Sequence, residues 1–172
     1  MGSSSTQIEQ WIHAHKPANV RFFGVRPNDE LPDPHSFAPG SCMVVNYDPS
    51  NKDGSHWCAI VWPSSGRRVW WVDSFGTPPD WDDRILHDRS HFRQWLVEVA
   101  QAHGADWTYN AFDFQSLQTS VCGLYAALSC AIGPPGEPYD LRGARTWMSI
   151  ANTPQPQRDD VELKRIVRFT SS

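Results

Sequence analysis

The chain has 172 residues, 40% of them apolar and nine of them Trp, which suits one domain with a buried core and excludes a disordered chain. Its formal net charge is -4, with Lys and Arg scattered among acids, so it has no overall attraction to nucleic acid or to an anionic membrane. The longest weakly polar run, residues 121–132, is too short to span a bilayer.

Thr6 and Glu9 read as a capping box, and Ile8, Trp11, Ile12 and His15 follow at helical spacing, predicting a helix over 7–15 stopped by Pro17. The Pro-rich stretch 27–39 reads as irregular loop. SCMVVNY (41–47), SHWCAIVW (55–62) and RRVWWVDSF (67–75) read as three strands, separated by the turns DPSNKDG and PSSG and paired antiparallel. Their near-continuous apolar runs predict strands covered on both faces. Phe92, Trp95, Leu96 and Val99 have helical spacing, with Gly104 placed as a C-cap. Residues 105–114 read as a further strand, and 122–132 as a buried helix. Asp140 is placed to cap a helix through Ile150, and Asp159 or Asp160 a last one to about Phe169. The pattern is α+β, a mainly antiparallel central sheet flanked by helices, in a single domain spanning 1–172.

The four cysteines, at 42, 58, 122 and 130, form no Cys-x-x-Cys pair and have no accompanying His pair, so no metal site is expected. The start MGSSSTQIEQ lacks the positive charge and apolar stretch of a secretory signal, which predicts a chain that is not exported and thiols that stay reduced. Cys42, Cys58 and Cys130 lie in apolar surroundings and read as core residues.

Cys122 differs from them. Polar QSLQTS precedes it and an apolar helical run follows, which puts the sulfur in the first turn of a buried helix. There the free amides and the helix dipole favour an anion. Gly123 would let a substrate backbone approach. From this feature alone, a merely packed Cys is the plainer reading. His56 stands at a strand start beside a Gly turn and has the ordinary pKa suited to taking a proton from a thiol; a structural His is the plain alternative. Asp73 ends the strand paired with that of His56, where it could orient the imidazole or simply open a turn. Gln115, seven residues before Cys122, is a candidate donor to an oxyanion, with Gln118 a rival by residue type. Trp57 is expected on the opposite strand face from His56, packing or shaping a substrate cleft.

The order His, Asp, Gln, then Cys-Gly opening a helix resembles the adenovirus-type cysteine endopeptidases (the adenain family), distant relatives of the SUMO-specific proteases. The pieces that carry the resemblance are GSHWCAIVW, VWWVDSFG, QSLQTSVCGLYAALS, the opening MGSSSTQIEQWI, and FFGV with DPHSF, together covering the chain to about residue 132. The resemblance implies a papain-like or adenain-like fold and a thiol endopeptidase. It assigns Cys122 as nucleophile, His56 as general base and then acid, Asp73 as its orienter, and Gln115 as oxyanion donor. Trp57 and Gly123 are candidates for the substrate cleft. Members mature viral precursor and capsid proteins at Gly-containing sites, inside virions and the host nucleus, so a monomer without a membrane is expected here. Some members take an activating viral peptide, held by a disulfide, and DNA as cofactors. This chain has no Cys between Cys58 and Cys122, so a peptide activator would bind non-covalently, and its acidic balance argues against DNA. The chemistry itself requires no cofactor. An isopeptidase acting on ubiquitin or SUMO conjugates, and an inactive peptide-binding scaffold, are the competing readings.

Overall fold

The computed structural model describes residues 3–52, 56–79, 91–116 and 118–169. The part of the DPSNKDG turn beyond Lys52 lies outside them. Helix α1 (Ser5–His15) begins two residues earlier than its spacing suggests, because Ser4 and Gln7, rather than Thr6 and Glu9, close the capping box. Strand β1 (Arg21–Pro27) follows where irregular chain was expected, and one 3₁₀ turn (Pro34–Ser36) interrupts the Pro-rich loop. β2 (Ser41–Asn46), β3 (Trp57–Trp62) and β4 (Arg68–Val72) fall on the three apolar runs. Next come α2 (Phe92–His103), closed by Gly104, and a short β5 (Asp106–Tyr109). α3 (Cys122–Ile132) and α4 (Leu141–Ala151, capped by Asp140) occupy the expected spans. The last expected helix is instead a single π-helical turn (Arg158–Glu162) running into a short α5 (Leu163–Ile166).

The five strands form one sheet in sequence order. Its centre is antiparallel, β2 on β3 on β4, as the short turns require. The expected α+β sheet thus keeps its antiparallel centre, while both outer pairs, β1 with β2 and β4 with β5, are parallel. A parallel neighbour needs a crossover. The loop after β1 supplies one, and the segment containing α2 supplies the other.

Alternation along the strands splits the core into two layers. Cys42, Val44, Ala59 and Val61 face α1, α3 and α4. Met43, Val45, Cys58, Ile60, Trp62 and Trp71 face α2 and the Phe37 loop. α3 is the central helix: every residue from Gly123 to Ala131 is buried. Its burial fixes the position of its first turn, and therefore of Cys122. No helix among the described residues is long and apolar enough to cross a membrane.

Candidate active site

Cys122 opens α3, and Val121 at the N-cap supplies no side-chain acceptor to the first turn. Leu124 N–H closes on Val121 O, and Gly123 N–H is left to another acceptor. The sulfur is that acceptor. Burial pushes the Cys122 thiol up, but its hydrogen bond to His56, the ring's charge, and the backbone N–H groups of Trp57 and Gly123 together hold it below its ordinary value.

His56 stands just ahead of β3. Its Nε2 lies 2.8 Å from Asp73 Oδ1. This leaves Nδ1 for sulfur, and both Cys122 and Cys58 hydrogen-bond the ring. Burial works against the imidazolium, yet His56 is held well above its usual range by the thiols and by Asp73. Cys58 is itself pushed up to about 12 by burial and by the Asp73 charge, so it stays a neutral thiol. With Cys58 neutral, the partners left to hold His56 up are Asp73 and the Cys122 sulfur. The ring is also packed by Tyr47, with centroids 5.3 Å apart, and by Phe75 at 5.0 Å.

The hairpin register brings Asp73 to this ring. Ala59 pairs with Val72, so continuing the ladder sets Cys58 opposite Asp73 and His56 opposite Phe75. Asp73 is fully buried. Besides His56 it accepts from Phe75 N at 2.9 Å, from Tyr47 Oη at 3.2 Å, and from Thr77 Oγ1. Burial alone would raise its pKa; the His56 bond and charge, then Thr77 and Phe75 N, outweigh this and hold it low. Asn110 clamps the same residue's backbone, accepting from Asp73 N at 2.9 Å and donating to Asp73 O at 2.6 Å. The donor atoms of His56, Cys58 and Asp73 lie within 4.8 Å of one another. With the carboxylate committed to four donors and the thiol protonated, this cluster suits proton handling better than metal ligation.

Gln115 is buried. Its Oε1 accepts from Ser74 Oγ at 2.6 Å, and its Nε2 donates to Thr119 O at 2.7 Å. These two bonds leave one Nε2 hydrogen unused. Gln118, its rival, is exposed. Trp57 packs against the α3 layer of the core and gives its N–H to the sulfur. It also lines a cavity of about 390 Å³ with Ser3–Ser5 and the end of β1. Gly123 does not face a cleft, contrary to expectation. A Cβ there would stand 3.0 Å from both Ile8 Cδ1 and Ser3 Cβ, so the missing side chain admits α1 and not a substrate. Cys42 and Cys130 are buried free thiols, as is Cys58.

The structure thus gathers Cys122, His56 and Asp73, and ties Gln115 to Ser74, the neighbour of Asp73. Sequence reasoning missed Tyr47, Phe75, Thr77 and Asn110. Only Phe75 left a usable signal, through its place in the quoted VWWVDSFG.

No protein-family model and no curated protein matches the chain. Solved structures do. The ASFV pS273R protease matches with TM-score 0.44 and 20% identity over 77% of this chain and 44% of that one, so this chain spans under half its length. The C-terminal Ulp1 protease domain, in complex with Smt3, the yeast ortholog of SUMO, matches with TM-score 0.46 and 16% identity over 83% and 71%. The SUMO protease Ulp1 with its catalytic cysteine oxidised to a sulfinic acid matches with TM-score 0.46 and 17% identity over 95% and 76%.

Proposed function

We propose that the chain is a cysteine endopeptidase that cleaves viral precursor proteins at Gly-containing sites during virion maturation, acting in particles and the host nucleus. The observation that carries its chemistry is a helix-opening thiol bonded to an imidazole whose Nε2 is held by a fully buried carboxylate. His56 takes the proton of Cys122, giving a thiolate–imidazolium pair stabilised by Asp73 and by the amides of Trp57 and Gly123. The thiolate attacks a peptide carbonyl. The unused Nε2 hydrogen of Gln115 and the N–H of Cys122 take the oxyanion. His56 then protonates the leaving amine, and water, deprotonated by the same ring, releases the acyl group. Every step uses the chain's own groups. The adenain-like motifs support the viral assignment. An activating peptide has the outer strands β1 and β5 to add to without a covalent link.

The purified chain, with and without basic peptides and DNA, is to be assayed on Gly-containing peptides and on ubiquitin-like conjugates. Peptide cleavage abolished by Cys122→Ala is the expected result. Cleavage of conjugates alone would make the enzyme an isopeptidase. No cleavage of either, with no His56-dependent alkylation of Cys122, would leave a binding scaffold.

A further inference from the structure

Asp159 is a buried carboxylate far from the reacting atoms in sequence, and the proposed chemistry gives it no part. Either it or Asp160 was expected to cap the last helix. Instead it turns inward from the π-helical turn Arg158–Glu162. Its Oδ2 accepts from Ser116 N at 2.6 Å and from Thr119 Oγ1 at 3.1 Å, and its Oδ1 accepts from Tyr125 Oη at 2.6 Å. Removing a carboxylate from water is unfavourable unless its acceptors are filled, and these three donors fill them. The adjoining residues grip the same segment: Gln155 Nε2 and Arg158 Nη1 donate to Phe114 O at 2.6 and 3.3 Å. The stretch between Phe114 and Thr119 is therefore fastened at both ends by residues 155–159, from a part of the chain where the family resemblance has run out.

What that stretch carries is Gln115. Thr119 is bound to Asp159 through its hydroxyl, and its carbonyl receives Gln115 Nε2. The other end of the carboxamide is held by Ser74. We infer that Asp159 is a positioning residue for Gln115: through Ser116 and Thr119 it fixes the carbonyl that sets which Nε2 hydrogen is spent and where the other points. An oxyanion donor helps only if it is aimed before the charge appears. Thr119 Oγ1 also reaches Ser116 O at 3.1 Å, so without Asp159 its one hydrogen would turn there. This inference rests on the proposed role of Gln115 in the endopeptidase.

The test compares Asp159→Ala with Asp159→Asn. Asn keeps an acceptor for Ser116 and Thr119, while its amide can donate to Tyr125 Oη, whose hydrogen has Phe114 O at 2.9 Å as an alternative. We expect Asp159→Ala to lower kcat by about 10²-fold with KM changed less than about threefold, and Asp159→Asn to restore most of the loss. Alkylation of the Cys122 thiolate by iodoacetamide should be unchanged, whereas affinity for a Gly-containing peptide aldehyde should fall in step with kcat/KM. In a Gln115→Ala background, Asp159→Ala should cost no more than about threefold further. Equal losses in both backgrounds, or alkylation falling with turnover, would overturn the inference and leave Asp159 a fold residue. Should Asp159→Ala not fold, Thr119→Val, which cuts the same link, is read in the same cycle. If the wild-type chain cleaves nothing, the endopeptidase reading falls separately. The Gln115 side-chain amide signals in NMR then decide positioning: shifted and less protected in Thr119→Val supports it, unchanged refutes it.

Discussion

Two thiols face one imidazole, and the regions that carry them give them opposite characters. Cys122 sits in the first turn of α3, where two backbone amides point at its sulfur and the thiol is held low. Cys58 lies within β3, where burial and the charge of Asp73, opposite it in the continued ladder, push it up to about 12, while the strand's first amide, Trp57 N–H, goes to Cys122 instead. Both are largely shielded from water, so burial does not separate them. Hydrogen-bond donors and the sign of the nearest fixed charge do.

The largest effect expected from breaking this contrast is at the sulfurs themselves. Cys122→Ala should lower kcat by roughly 10⁴-fold or more, as loss of a nucleophile does elsewhere. Cys58→Ala should keep activity within about tenfold and cost about 1 kcal/mol in a denaturant melt, from the small void it leaves. Comparable losses of activity in both would show that the strand thiol shares in the chemistry.

The next effect is at the carboxylate. Asp73→Asn should slow acylation by about 10²-fold or more, because the ring loses its orienting charge. It should also change the pH dependence of stability. Folding holds this carboxyl below its ordinary 3.8, so the wild type gains stability above that pH and loses it as pH falls through the folded value. The stability difference between wild type and Asp73→Asn, measured by urea melts, should be widest near neutrality and shrink below about pH 3.8. A difference that stayed constant to pH 2 would shift the acid role elsewhere.

The smallest effect sharpens the comparison instead. Phe75 stacks on the His56 ring and favours its charged form through its π face. Phe75→Leu should lower the His56 pKa, moving the alkaline limb of the kcat/KM profile down by about 0.5 to 1 pH unit. An unmoved limb would mean that Phe75 only fills space.

How much of this was legible in the sequence depended on how local each signal was. α3 and α4 were readable because an unbroken apolar run and an Asp N-cap announce themselves within one or two turns. β1 was not. It is an outer, half-buried strand whose register shifts between Phe22 and Val25 and which ends on a proline, so neither alternation nor a continuous apolar run marks it. Cys122, His56 and Asp73 were legible as residue types in order, but the contact between the last two depends on a register that only the folded hairpin sets. Gly123 was misread because its constraint comes from α1, more than a hundred residues away in sequence. Asp159 looked like a cap for the same reason: its partners, Ser116, Thr119 and Tyr125, are decided by tertiary packing.

The tight fit of Ser3 and Ile8 against Gly123 has a practical corollary. The turn that carries Cys122 has no slack where Ser3 and Ile8 meet it, so a disturbance to those residues would be transmitted to it. An affinity handle for purification belongs away from residues 3–8, and a low specific activity in a preparation tagged beside them would say more about the handle than about the proposed chemistry.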